Sequence, residues 1–556
     1  MLIVGMANIF TVNQVKAHPG KGPRTPELLM RFYETPEDCY AALKAGDIDM
    51  MLWPLTADQY YDAITDPNIV LGPVSENGMF EFDINNNETI PSYPGVISPT
   101  SQPDFRRALA LLTDKWYIVN DICGGFATRM DMPVVVNAPS WLNTSCVYPN
   151  YDWEYNPEAA AALLDAAGFV QGTTENPDYD PDFPGSAQYI RVYPETVIVH
   201  DNPQVGTDVT GPPYTWTLML PATEIVRVMG LIEGEHWYTN LAYTFDSDTN
   251  SITVDGVTLE DESFLWIEYK TPHPKAGEDL DPIIFYARSD HLQRLQAGEH
   301  LATNMRKMGI PVDFRALPAS GCYPPVMGDR DYHIYTGGWR LGRFPTSLFF
   351  LYHSMWWMPW GYNYVNPPCP RPRPGPSAVD PNLDVALRDI WYAESMEEAI
   401  VAAQKAQGIY EKYVPNIPLW CSKSYFAWRS WVLGVCNMMG YGPENTYTFL
   451  NAYKAADAPE PNRLRVGWNQ PPEAANILFS SWVYDYGILD RIYEGGQAMN
   501  PYDLGRDQAW IVQDWAVSTW VDPDDGLEKT KVTYWIRKDV YWVAPVTGEL
   551  AYQFTV

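Results

Sequence analysis

Positive charge is scarce in this chain. Lys and Arg number 37 against 69 Asp and Glu, giving a formal net charge of −32 over 556 residues. A polyanion of this kind is repelled by nucleic acid and by anionic membrane surfaces, so neither is expected as a partner; the charge keeps the chain dispersed in water. The seven cysteines (Cys39, Cys123, Cys146, Cys322, Cys369, Cys421 and Cys436) form no CxxC pair and no regular metal spacing. An odd number leaves at least one thiol unpaired in any oxidising compartment. Scattered buried thiols are one reading, and one or two disulfides the alternative. The eight histidines include no HExxH and no HxH, so no metal site and no cofactor is expected. There is no GxSxG, no Walker loop and no GxGxxG. With 69 carboxylates, pairs such as Asp47/Asp49 or Asp524/Asp525 arise by chance and do not mark a glycosidase dyad. No stretch is apolar for long enough to span a bilayer. The apolar start, Met1–Phe10, has no basic residue before it and no cysteine for a lipid anchor, which makes it a poor signal peptide.

What is present is enough for several cores. Hydrophobic residues make up 46%, with 22 Trp and 37 Tyr, and the aromatics serve as packing or as stacking platforms. Thr35-Pro36-Glu37-Asp38 reads as a helix start, with Thr35 as cap and Pro36 in the first turn. Ala41, Ala42 and Ala45 continue the helix, Gly46 ends it in a left-handed cap, and Met50–Trp53 follows as a short buried strand. Phe105–Lys115 has helical spacing of apolar residues, and the same pattern continues into Trp116–Gly124. Asn156 caps a helix at Pro157 that Gly168 stops, with Phe169 folding back in a Schellman contact. Between residues 170 and 285, Gly, Pro, Thr and Asp cluster, and short alternating stretches (Tyr189–Tyr193, Ser251–Leu259) read as strands. A helix around Asp290–Met308 is ended by Gly309, with Ile310–Phe314 as the next strand. Residues 366–382 are proline-rich and read as a loop. Met396–Tyr413 reads as a helix and Pro415–Trp420 as a strand.

The wording of these elements carries a resemblance. "ALKAGDIDMM" (42–51), the helix at Phe105, "YNPEAAAALLDAAGF" (155–169), "RSDHLQRLQAGEHLATNMRKMGIPVDF" (288–314) and "AQKAQGIYEKYVPNIPLW" (403–420) resemble, in order, landmarks of the family 5 extracellular solute-binding proteins. Those are the dipeptide-, oligopeptide-, nickel- and oligosaccharide-binding components of ABC importers. After a polar linker at 456–462, "RLRVGW" (463–468) resembles the family's first strand. "YGILDRIYEGGQAMNP" and "KVTYWIRKDVYW" resemble the rest of its N-terminal region. The pieces are family-like but their order is not, which leaves two readings open: a piece of a tandem array, or a circular permutant.

The resemblance implies an α/β, two-lobed periplasmic-binding-protein-like fold of the large family 5 type, with the first lobe incomplete or permuted. Residues 1–25 are a leader or an unassigned start. Residues 26–75 and 431–455 form part of lobe one, 76–430 lobe two, 456–462 the linker, and 463–556 the segment like the start of lobe one. It also implies ligand capture in an interlobe cleft, without bond chemistry, for delivery to ABC transporter permease subunits, by a monomer outside the cell, at its surface or in the periplasm. The ligand would be an oligopeptide or oligosaccharide. A secreted glycosidase, a carbohydrate-adhesion module and a non-binding fragment of a tandem protein are the alternatives; turnover of ligand separates the glycosidase from the rest.

Two stretches carry the candidate ligand contacts. In Tyr335-Thr336-Gly337-Gly338-Trp339-Arg340-Leu341-Gly342-Arg343, the paired glycines would let a ligand approach the backbone and Trp339 would stack on it. The stretch resembles the family's "gW..D..dP" loop, whose aspartate pairs with a peptide's α-amino group. Here Gly342 and Arg343 stand in that region, which argues against free-peptide recognition by the amine and for an anionic or polyhydroxyl ligand. Trp356–Tyr364 groups tryptophans with Asn363 and suits sugar stacking. The candidates are Tyr335, Gly338, Trp339, Arg340 and Arg343, then Trp357, Tyr362 and Asn363, with Trp468 and Asn469 after the first-strand motif.

Overall fold

The computed structural model describes residues 23–357, 363–369, 371, 372, 374–468, 471, 472, 476–478, 483–524, 526–544 and 549–554. The leader expected at 1–25 therefore lies almost wholly outside the described residues, as do Tyr362 and Asn469. The fold is α/β, as expected. Residues 1–73 and 425–494 make one compact unit, and residues 74–424 and 495–556 make a second.

The first unit is built on the elements the sequence punctuates most clearly. The helix Pro36–Ala45 is capped by Thr35, whose side chain accepts from the Asp38 amide, and it ends at Gly46 with φ 78°. The strand Met50–Met51 follows, buried on both sides. The strand Arg463–Trp468, which resembles the family's opening strand, lies between Glu27–Phe32 and Met50–Met51 and runs parallel to both. Met50 and Met51 in turn pair antiparallel with Trp428 and Ala427. The segment thus joins the unit's sheet by main-chain hydrogen bonds although hundreds of residues separate it from its neighbours in sequence. Cys39, Leu43, Ile48 and Met51 form one core there, and Met50, Leu464, Val466 and Trp468 another.

The second unit has a mixed sheet. Its strand order is residues 416–424 of the long strand Asn416–Arg429, then Gly78–Ile84, Ile334–Arg340, Ile283–Arg288 and Val312–Leu317. The helix Leu292–Lys307 precedes the last of these, ending before Gly309 at φ 78°. The helix Met396–Tyr413 leads into the long strand. The Gly/Pro-rich stretch folds as a hairpin of Gln171–Glu175 with Tyr189–Arg191 and two further small antiparallel sheets, which share a core that includes Val199, Ile252, Leu265 and Ile267.

One expected helix is broken. Phe105–Gly124 reads as continuous, but the helix Pro103–Leu111 stops and a short turn begins at Lys115, passing into a π-helical stretch, Ile118–Ile122. The side chains explain the break. Thr113 Oγ1 donates to the Leu109 carbonyl, and Asp114 accepts from the Tyr117 amide at 2.9 Å as a new N-cap. Short polar side chains that bond the local backbone compete with helix continuation. All seven cysteines are unpaired, and only Cys436 is not fully buried.

Candidate ligand-binding site

The strand Ile334–Arg340 pairs antiparallel with Gly78–Ile84, placing Tyr335 opposite Asp83, Gly337 opposite Glu81 and Trp339 opposite Met79. Side chains alternate along a strand, so Tyr335, Gly337 and Trp339 share a face with Glu81 and Asp83. Both acids are 1% exposed. Trp339 Nε1 donates to Glu81 Oε1 at 2.6 Å, and Tyr364 Oη donates to Asp83 Oδ2 at 2.7 Å. Asn416 Nδ2 donates to the other oxygen of Glu81 and, at 3.1 Å, to Tyr352 Oη. The rings of Trp339 and Tyr364 lie 6.0 Å apart.

Burial raises both carboxyl pKa values. Glu81 is raised further by the charge of Asp83, while Arg294 opposes the rise in both. Two adjacent buried carboxylates cannot both ionise cheaply, so the pair retains a proton well above the usual range, held chiefly on Glu81.

The glycines have a structural reason of their own. A Cβ at Gly337 would stand 1.9 Å from Asp83 Oδ2, and one at Gly338 would stand 2.9 Å from Phe80 Cδ1. Gly337 thus makes room for the Asp83 carboxylate, whereas Gly338 is itself solvent-exposed. Tyr335 is buried, and its hydroxyl accepts from Arg294 at 3.1 Å. Arg340 is exposed, and Trp339 is half-buried.

Arg343 is already engaged. Its guanidinium pairs with Asp507 at 2.8 and 3.1 Å and donates to the Leu504 carbonyl at 3.1 Å. The loop itself lacks an aspartate, and the carboxylate beside it comes from the strand Asp503–Ala509. That strand is further held by Trp141 Nε1 donating to the Gly505 carbonyl at 3.0 Å.

Asn363, fully buried, is a loop staple. Its amide donates to the carbonyls of His353 and Asn366, and its oxygen accepts from the amides of Val365 and Asn366. Trp357, which directly follows the short turn Ser354–Trp356, is half-buried. Trp468 belongs to the first unit and is 3% exposed; it stacks on Phe32 at 6.2 Å. The two candidate stretches, 335–343 and 356–364, thus meet through the Trp339–Tyr364 contact over Glu81 and Asp83. Sequence reading missed Glu81, Asp83 and Asp507, and included Tyr364 only as the end of the second stretch. The first two had a signal: "FEFDI" puts acids at alternate positions of an apolar strand.

Residues 16–194 match the family model described as bacterial extracellular solute-binding proteins, family 5 middle. The resemblance read from the sequence is borne out over that segment. No curated protein is matched. Solved structures similar to this chain include NikZ from Campylobacter jejuni in complex with Ni(L-His), at 14% identity and TM-score 0.35, over 72% of this chain and 56% of that one. HbpA2 from Haemophilus parasuis is 16% identical with TM-score 0.45, over 76% and 56%. The oligopeptide-binding protein AppA from Bacillus subtilis, in complex with a nonapeptide, is 15% identical with TM-score 0.39, over 76% and 59%. The chain spans less than two thirds of the length of these structures.

Proposed function

Starting from the family 5 segment at residues 16–194, we propose that this chain is a solute-binding protein that captures an oligopeptide or an oligosaccharide outside the cell for an ABC importer. The family match is the observation that carries the reading. The protein works as a monomer that hands its ligand to permease subunits and returns it chemically unchanged. On this reading Gly338, Trp339 and Arg340 of the strand Ile334–Arg340 contact the ligand; their exposure or half-burial supports it. Trp339 is fixed by its bond to Glu81, so its ring reaches a ligand without further loss of side-chain freedom.

The test is a thermal-shift screen of the full chain against di- to pentapeptides, neutral oligosaccharides and nickel. A ligand at a hundredfold excess over its Kd stabilises by about 2.7 kcal/mol. A shift with one peptide or saccharide class, and recovery of that ligand intact by chromatography, is the expected result. A cooperative melt that no ligand moves, or consumption of the ligand, overturns the reading.

A further inference from the structure

A groove of about 530 Å³ opens on the second unit, a volume usual for small-molecule sites. Its walls are the helices Pro381–Tyr392 and Met396–Tyr413 and the segment His236–Trp237. It shares no lining residue with the Glu81–Asp83 centre. The segment is pinned to the first helix. The Tyr238 amide donates to Asn382 Oδ1 at 2.9 Å, and Asn382 Nδ2 donates to the Tyr238 carbonyl at 2.9 Å. His236 Nε2 meets both oxygens of Asp389, at 2.8 and 2.9 Å.

One cation in the groove has no counter-ion. Lys405 is exposed, and its Nζ stands over the Trp237 ring, 2.9 Å from the centroid. Among the described residues this ammonium makes no hydrogen bond and no ion pair. Partial burial lowers its pKa, and the charge of Asp389 opposes the fall. The ring thus fixes the ammonium in place, with its N–H donors open to an acceptor from outside.

The same groove carries charge of the other sign. Glu397 and Glu398 line it, both exposed, in the first turn of the helix that bears Lys405. Glu398 Oε2 accepts from the Glu394 amide at 3.1 Å, which leaves Oε1 open. Glu397 meets Arg506 only at 3.5 Å, with side-chain exposures of 75% and 45%, a pairing that a ligand can displace. Glu397, Val401 and Lys405 follow one another at i, i+4 and so share one helix face. Val401 and Tyr392, both lining the groove, are 65% and 71% exposed.

These groups narrow the ligand class. A simple anion would meet Lys405 but face the carboxylates. A simple cation would meet Glu397 and Glu398 but face Lys405. A molecule with a carboxylate at one end, an ammonium at the other and an apolar body satisfies both ends and covers Val401 and Tyr392. Glu398 and Lys405 are about 10 Å apart along the helix axis. An extended dipeptide covers about 7 Å, and the two long side chains close the rest.

We infer that this groove binds a zwitterion of dipeptide size, its carboxylate on Lys405 and its ammonium on Glu397 and Glu398. The site shares no residue with the strand Ile334–Arg340 and does not rest on the family-based capture function.

The test is titration calorimetry of the full chain with leucyl-leucine and two controls that each lack one charge. Leucyl-leucine binds. N-acetyl-leucyl-leucine, without the ammonium, and leucyl-leucine amide, without the carboxylate, bind about tenfold more weakly, the size expected for one charge-assisted contact. Lys405→Met keeps an apolar stem on Trp237 but removes the charge. It weakens leucyl-leucine about tenfold, with an unchanged melting midpoint, and it no longer tells leucyl-leucine from its amide. A role in folding alone would not abolish that discrimination. The inference is overturned if leucyl-leucine does not bind, or if the acetylated or amidated form binds as well as it does. Leucyl-leucine that binds Lys405→Met undiminished occupies some other site; that result overturns this inference while leaving the proposed capture function standing.

Discussion

Asp49 and Arg465, 416 residues apart in sequence, form a buried two-pronged ion pair: Arg465 Nε reaches Asp49 Oδ2 at 3.0 Å and a terminal nitrogen reaches Oδ1 at 2.7 Å. The Arg465 amide also donates to Oδ2, at 2.8 Å. Trp431 Nε1 and Lys454 Nζ complete the shell at 3.0 and 3.1 Å. Every oxygen lone pair that faces the interior is met, which is the condition under which a buried carboxylate is tolerated. The aspartate belongs to the "ALKAGDIDMM" stretch and the arginine to "RLRVGW", so the pair ties the late strand into the sheet of the first unit.

Removing one partner leaves the other charge buried alone. Asp49→Ala is expected to cost about 3–5 kcal/mol, read as a lower urea midpoint. The pH dependence has a definite sign. Burial alone would raise the Asp49 pKa, but the bonds from Arg465, Trp431 and Lys454 outweigh it and hold the group below the ordinary carboxylate value. The stabilisation is complete above the unfolded-state pKa and is lost as pH falls from there through the lower folded value. Wild type therefore loses more stability on acidification than Asp49→Ala does. Equal acid sensitivity of the two proteins would refute the assignment.

Glu81 and Asp83 act in the opposite sense. Their folded pKa values are raised, by burial first, so the folded state holds a proton that the unfolded state has released. Stability from this pair is present below the unfolded carboxylate pKa and is lost as pH rises through the folded one. Unfolding free energies from urea titrations between about pH 5 and pH 8 should fall with a slope of up to about 1.4 kcal/mol per pH unit for one proton. Glu81→Gln, which cannot titrate, flattens that slope.

Gly337→Ala is expected to destabilise the second unit by about 1–3 kcal/mol through overpacking, because the added methyl group would meet the Asp83 carboxylate. The same substitution at Gly328 is a control for loss of glycine itself, because its φ, like that of Gly337, is not left-handed and its Cβ would meet nothing within 4 Å. Differential scanning calorimetry of both variants checks the contrast: the Gly337 variant should show the larger loss.

The pair between Arg343 and Asp507 has side-chain exposures of 27% and 18%. An ion pair this exposed contributes about 1 kcal/mol or less. Its removal in Asp507→Ala should raise the local opening of residues 503–509 by up to about fivefold, and trypsin cleavage after Arg506 should accelerate accordingly. An unchanged cleavage rate would mean that the strand is held without help by Trp141 and by the Asn137 carbonyl, which accepts from the Leu504 amide at 2.8 Å.

Burial pushes the thiols of Cys39, Cys123, Cys146 and Cys421 up to about 12, and that of Cys436 to about 11. Since the thiolate is the reactive form, a thiol reagent at pH 8 should label the folded chain slowly and all seven cysteines quickly in denaturant. A total below seven would reveal disulfides.

Local punctuation was readable because it depends on a few neighbouring residues. Thr35, Gly46, Asn156, Gly168 and Gly309 mark helix ends where the sequence places them, since a cap is a bond or a backbone angle within one turn. Phe169 closes its Schellman contact by donating its amide to the Leu164 carbonyl at 2.9 Å. The break at Thr113-Asp114 was hidden because apolar spacing persists across it while the polar side chains, not the spacing, end the helix.

The candidate site divides in the same way. Trp339 was legible as an aromatic at the end of a strand leading from paired glycines. The carboxylates under it, and the Asp507 that engages Arg343, come from strands remote in sequence, so local reading could mark the acids of "FEFDI" as unusual but could not say what they meet. What the sequence by itself determined is the α/β class, the family 5 landmarks and the ends of the clearest helices, all set by short-range chemistry. Only the tertiary structure decided that Arg463–Trp468 lies between Glu27–Phe32 and Met50–Met51, that Glu81 and Asp83 share one buried site, and that Lys405 stands over Trp237 in one groove. The first and the last are long-range pairings, and the second depends on distant elements that pack over residues close in sequence, so none of them is set by local chemistry.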